Sequence, residues 1–292
     1  MGSGPGPGSG PISVVGIGDG LSRTRGAAVD VAFRMRGSGP AVVLLHGTSA
    51  NHAVWEPVGD ALGGRATVIA LDQRGHGRSD KPAHGYTGDD FVSDVITVLD
   101  ALGLPTALVA GHSLGGRNAW LAAARHPDRV SGAVVVDYTP FVEPAVLDEL
   151  EVRVAGGFRG FGSPAEIEHY LRGRYRLILP GAVSRRARWG YHRQSDGSWE
   201  PLASAEAMTQ LIEGFRTPYA DEFAQVATPM THLRGKRSTI VSEAAWDRAV
   251  ALRGDDRWVV IDEADHYIPE ERPELVADEI ARLLPGPSSS TP

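Results

Sequence analysis

The chain has 292 residues and a formal charge of −7 at neutral pH, long enough for one large domain or one domain with an insertion, and its acidic balance argues against nucleic-acid binding. It has no cysteine, which excludes disulfides, thiolate metal sites and a cysteine nucleophile. With no apolar run of membrane-spanning length and no secretory signal pattern at its start, it is expected to be cytoplasmic and to engage neither membrane nor nucleic acid.

Residues 1–11 and 285–292 are Gly/Pro/Ser-rich and are expected to be disordered tails. Between them, short apolar runs alternate with helical patterns. Strands are expected at 29–36, at Ala41–Leu45 ending in His46-Gly47, at 66–71 and at 106–110. Helices are expected at 55–62, at 91–102 (apolar at Phe91, Val95, Val98, Leu99 and Leu102) and at 116–124. Val130–Val136 reads as a further buried strand. The alternation stops after Asp137 and resumes with a strand at 230–233, a helix at 242–253, a strand at 258–261 and a helix at 274–284. Strands buried on both faces and separated by helices predict an α/β fold, a mostly parallel sheet with helices on both faces. The core is then 12–137 plus 227–284. The intervening 138–226 is richer in arginine and aromatics, lacks a convincing buried strand and reads as a helical cap over the carboxyl edge of the sheet.

Gly111-His112-Ser113-Leu114-Gly115 lies between the 106–110 strand and the 116–124 helix. A serine on a strand-to-helix turn, with glycines two residues either side, is the pattern of a nucleophile elbow. The turn lifts the hydroxyl above the sheet and sets it at a helix N-terminus, where developing negative charge is favoured.

With His46-Gly47-Thr48, the run from Asp72 to Ser79, and the segment from Asp265 to Glu270, the elbow makes the chain between Val29 and Leu284 resemble the α/β-hydrolase fold family with a cap. The resemblance implies a serine hydrolase cleaving a carboxylic ester, lactone or thioester through an acyl-enzyme. Ser113 is the nucleophile and His266, in the loop after the last strand, its general base. The backbone N–H groups of Leu114 and Thr48 are the implied oxyanion donors. The acid departs from the commonest pattern. After the 230–233 strand the usual aspartate position holds Ser238, in Gly235-Lys236-Arg237-Ser238, and serine has no charge to stabilise an imidazolium. Asp137, closing the Val130–Val136 strand, is the acid instead; Glu243 and Asp247 are weaker candidates within a helical pattern.

From His169 to Ser195 the chain carries Arg172, Arg174, Arg176, Arg185, Arg186, Arg188 and Arg193 with no acidic residue. Two readings stand: recognition of an anionic substrate, or a solvated basic face balanced by Glu166 and Glu168. Tyr138, Trp189 and Tyr191 are candidate substrate-lining residues for a small, anionic or aromatic molecule. No cofactor or metal motif is present. Two rival activities share the fold: carbon–carbon hydrolysis, lyase or cofactor-free oxygenase chemistry on the His–Asp pair, and ligand binding by a non-catalytic receptor.

Overall fold

The computed structural model describes residues 12–217 and 219–285; most of both expected tails, 1–11 and 286–292, lies outside the described residues. In chain order the elements are β1 (Ser13–Gly18), β2 (Leu21–Arg25), β3 (Ala32–Gly37), β4 (Ala41–Leu45), α1 (Glu56–Ala61), β5 (Thr67–Asp72), α2 (Gly88–Ala101), β6 (Ala107–His112), α3 (Leu114–Arg125) and β7 (Val130–Val136). Then come α4 (Pro144–Ala155), α5 (Pro164–Arg174), α6 (Ala182–Gly190), β8 (Tyr191–Arg193), β9 (Trp199–Pro201), α7 (Ala205–Gly214) and α8 (Ala220–Ala224). The chain closes with β10 (Met230–Gly235), α9 (Glu243–Leu252), β11 (Arg257–Ile261), α10 (Ile268–Glu271) and α11 (Pro273–Leu283).

Nine strands form one sheet in the order β1-β2-β3-β5-β4-β6-β7-β10-β11. From β5 to β11 all neighbours are parallel, while β1, β2 and β3 join antiparallel at one edge. The parallel strands β4, β6 and β7 are almost wholly buried, and two hydrophobic clusters cover the two faces of the sheet. One packs α2 and α3 around Trp120; the other packs α1 and α11 around Trp55. Burial on both faces explains why these strands are continuous apolar runs.

Two features depart from the sequence reading. The β1–β2 hairpin adds strands within a stretch that carries no apolar periodicity, because β1 is exposed on both faces and no core selects its residues. The 138–226 segment, read as helical, also contains the β8–β9 hairpin. Tyr191 and Trp199 there pack on a local cluster around Phe161, Ile167 and Leu171.

Candidate active site

Ser113 occupies the bend between β6 and α3 with φ 54° and ψ −114°. The bend admits only glycine at its flanks: a Cβ on Gly111 would lie 1.9 Å from the Gly115 carbonyl oxygen, and one on Gly115 2.0 Å from that of Leu45. The Ser113 N–H donates to the Val136 carbonyl at 2.8 Å, so the end of β7 holds the bend in place. Helix α3 starts at the next residue without a side-chain cap, which leaves its first N–H groups open to a ligand.

Asp137 follows β7 in a left-handed conformation, φ 49°, with its own N–H donating to the Leu233 carbonyl at 2.7 Å. Its fully buried carboxylate collects three donors. Gly235 N–H reaches Oδ1 at 3.0 Å; the Ser238 hydroxyl reaches Oδ2 at 2.5 Å; His266 Nδ1 lies 2.6 Å from Oδ2. The last contact defines Nδ1 as the protonated nitrogen and leaves the lone pair on Nε2. His112, one residue before the serine, donates from Nε2 to the His266 carbonyl at 2.7 Å and ties the loop of His266 to β6. Ser113 and His266 line one cavity. Among the described residues no hydrogen bond joins the Ser113 hydroxyl to the imidazole; such contacts tighten when substrate arrives.

Burial dominates the electrostatics of the pair. It pushes His266 down to about 3, with Arg153 and Arg186 adding to the depression and Asp265 opposing it. It pushes Asp137 up to about 7 against the Ser238 hydroxyl, the Gly235 N–H and Arg234. The direction that matters is the first: the resting imidazole is neutral, the state a general base requires.

The loop after β4 closes the other side. A Cβ on Gly47 would come 3.3 Å from the Ser113 Cβ, so this loop lies directly against Ser113. Ser49 adopts a left-handed φ of 59°, and its N–H donates to His76 Nε2 at 3.1 Å. His46 accepts the Gln73 N–H at 3.0 Å and its carbonyl accepts the Gln73 side chain at 2.6 Å. The histidines of the 46–76 region thus brace the loop. Thr48 lines the cavity, and the N–H groups of Thr48 and Leu114 make no hydrogen bond among the described residues.

The roof of the cavity comes from the segment between β7 and β10: Leu150, Arg153 and Val154 of α4, Arg174 and Tyr175 at the end of α5, and Arg186 of α6. The arginines divide by environment. Arg172 pairs with Glu168 within α5. Arg186 is buried against Glu270, Nε to Oε2 2.8 Å, with Tyr175 stacked 4.3 Å away. Arg174 donates to the Tyr170 hydroxyl at 2.8 Å and the Arg153 carbonyl at 3.0 Å. Neither Arg153 nor Arg174 meets a carboxylate among the described residues, and the Nε of each is buried without a partner. Two uncompensated cations therefore border the cavity that holds Ser113. Arg153 falls outside the arginine-rich stretch. Its signal was a lone arginine on the apolar stripe Leu147, Leu150, Val154 of α4.

Two of the three aromatic candidates are elsewhere. Tyr138 packs against Phe215, ring centroids 5.9 Å apart, in the core beneath α3. Trp189 is buried with Leu21 and Ala53 and meets the His52 ring at 5.0 Å. Neither borders the cavity; both were drawn inward because large aromatic surface stabilises most where it leaves water completely. Tyr191 lines a chamber adjoining the Ser113 cavity, which the two spaces share at Ala50, Val154, Arg174, Tyr175 and Arg186. Tyr175 and Tyr267 stack edge-on at 4.6 Å beside the site. Among the described residues no cluster of three or more His, Asp or Glu is arranged to hold a metal ion, and no helix is long and apolar enough to cross a membrane.

A parallel sheet with a serine elbow and a His–Asp pair at its carboxyl edge defines an α/β-hydrolase. The chain belongs to that family: the profile of the alpha/beta hydrolase fold matches residues 40–273. It is 41% identical over 256 residues to 2-(acetamidomethylene)succinate hydrolase of Mesorhizobium japonicum, covering 88% of this chain and 92% of that one. The crystal structure of E-2-(acetamidomethylene)succinate hydrolase superposes with a TM-score of 0.84 over 87% of this chain and 95% of the other, at 41% identity. An enol-lactonase from Burkholderia xenovorans shares the fold at 21% identity, TM-score 0.68, over 87% of this chain and 96% of its own.

Proposed function

We propose that the protein hydrolyses the acyl bond of a small carboxylate-bearing substrate through an acyl-enzyme on Ser113, with 2-(acetamidomethylene)succinate the first compound to test. The observation that carries this reading is the pair of uncompensated guanidinium groups, Arg153 and Arg174, on the wall of the Ser113 cavity. Both guanidinium groups are part-buried, with each Nε shut off from water and unpartnered, and a substrate carboxylate supplies the missing partner in the fork geometry that arginine binds best. The similarity to a hydrolase named for a succinate with an acetamido group favours an amide-type bond over the ester, lactone or thioester that the elbow implies equally well.

In this mechanism His266 Nε2 takes the Ser113 proton as Oγ adds to the acyl carbonyl carbon. Asp137 fixes the imidazole and stabilises the imidazolium that forms. The carbonyl π electrons pass to oxygen, where the N–H groups of Thr48 and Leu114 receive them. Collapse expels the amine, protonated by His266, and the same histidine then activates water to release the acid. The cavity arginines hold the carboxylates away from the reacting carbon and fix which carbonyl reaches Ser113.

The test is incubation with 2-(acetamidomethylene)succinate, measuring acetate and trapping the intermediate by acid quench and mass spectrometry. Acetate released in step with substrate loss, with an acetyl group on Ser113, is the expected result. Substrate consumed without acetate would place the cleaved bond elsewhere and overturn the proposal.

A further inference from the structure

The Thr48 hydroxyl is unaccounted for. Its Oγ1 is buried and has no hydrogen-bond partner among the described residues, although the residue lines the cavity with Ser113 and His266. Buried hydroxyls find partners in folded proteins, so one left without a partner at a cavity wall calls for an explanation, a catalytic role among them. The loop that carries it is held in place independently of that hydroxyl, by the Ser49 N–H to His76 at 3.1 Å and the Ala50 N–H to the Gly47 carbonyl at 3.2 Å.

We propose that the Thr48 side chain is a catalytic residue: its hydroxyl is a third donor to the oxyanion formed at Ser113, beside the N–H groups of Thr48 and Leu114. The proposal rests on the acyl-enzyme reading above. Thr48 N and Oγ1 are separated only by Cα and Cβ, so an oxygen that accepts from the N–H lies within reach of the hydroxyl in a staggered rotamer. As Ser113 Oγ bonds to the carbonyl carbon and its proton moves to His266, the π pair settles on the carbonyl oxygen. That oxygen gains a full charge and room for a third hydrogen bond, which the neutral carbonyl uses poorly. The hydroxyl therefore contributes mainly in the transition state, the condition under which a contact raises kcat. Loop bracing keeps the cost of alignment out of the reaction step.

The experiment compares wild type, Thr48→Val, Thr48→Ala and Thr48→Ser in two assays. Valine is isosteric and lacks only the hydroxyl; alanine introduces no new contact should valine disturb the loop. For hydrolysis of 2-(acetamidomethylene)succinate, kcat falls on the order of 10²-fold in the valine and alanine variants with KM little changed, and Thr48→Ser stays within a few-fold of wild type. The second assay is phosphorylation of Ser113 by dimethyl fluorophosphate, in which the Oγ–P bond forms, fluoride leaves and the phosphoryl oxygen occupies the oxyanion position without any amide or carboxylate. Here Thr48→Val slows labelling by a similar factor. Equal labelling rates for wild type and Thr48→Val overturn the third donor while leaving the acyl-enzyme reading intact. No labelling of wild-type Ser113 overturns the acyl-enzyme reading itself.

Discussion

The Ser238 hydroxyl donates to Asp137 Oδ2 at 2.5 Å, and His266 Nδ1 meets the same oxygen at 2.6 Å. A serine after β10 and a carboxylate after β7 therefore converge on one point beside the imidazole. The carboxylate stands at the end of β7, the strand beside β10, and the serine after β10 steadies it.

Loss of the carboxylate is expected to be severe. Asp137→Asn lowers turnover roughly 10⁴-fold, the effect of removing the acid from a serine-protease triad; Glu243→Gln and Asp247→Asn, on α9, change it little. Because Ser238 borders the same oxygen, the exchange Asp137→Ser with Ser238→Asp recovers part of the loss. Steady-state kinetics on the three single variants and the exchange check this. Full activity in Asp137→Asn would remove Asp137 from the mechanism.

Ser113→Ala removes a hydroxyl that the backbone of the elbow does not use. Turnover drops by on the order of 10⁴ to 10⁶, while the thermal melt followed by circular dichroism stays at the wild-type midpoint. Retained turnover would favour chemistry on the His–Asp pair alone.

The pH profile follows from the depression of His266, pushed by burial to about 3, from an ordinary 6.5, with Arg153 contributing. The base works when neutral, so the acid limb of kcat/KM lies below pH 6.5. Arg153→Ala withdraws a positive charge, lets His266 hold its proton more readily, and moves that limb to higher pH. A limb that does not move in Arg153→Ala would separate the arginine from the base.

Arg153→Ala and Arg174→Ala also raise KM for a dicarboxylate substrate and weaken the dependence of KM on the substrate's charge state, whereas a neutral ester analogue, assayed at a pH above the acid limb, is processed as by wild type. Initial rates for the charged and neutral compounds make the comparison. Equal changes for both would show that the arginines shape the cavity without binding carboxylate.

Arg186 and Glu270 are buried together, and removing one leaves the other uncompensated. Glu270→Ala destabilises the fold by about 3–5 kcal/mol, whereas replacing both by methionine costs far less. Urea unfolding of the single and double variants measures the difference; equal losses would show that the pair does not act as a unit.

Much of this protein was legible locally. The elbow is written in contiguous residues because its constraint is local: the Gly111 and Gly115 positions leave no room for a side chain. The strands β4, β6 and β7 were legible because burial on both faces demands continuous apolar runs. Ser238 marked the missing acid, and the strand-end position of Asp137 marked a replacement. Tertiary structure decided everything that depends on which distant residues share a cavity. Arg186 and Arg174 lie on neighbouring elements of one arginine-rich stretch, yet one meets Glu270 and the other meets no carboxylate. Arg153, remote from that stretch, joins the site through the packing of α4. Tyr138 and Trp189 went into apolar clusters and not to the cavity. Composition records how many cations and aromatics a segment holds; only packing across the sheet and its covering helices assigns each one a partner, because a charge's counter-ion and a ring's neighbours come from elements far apart in the chain.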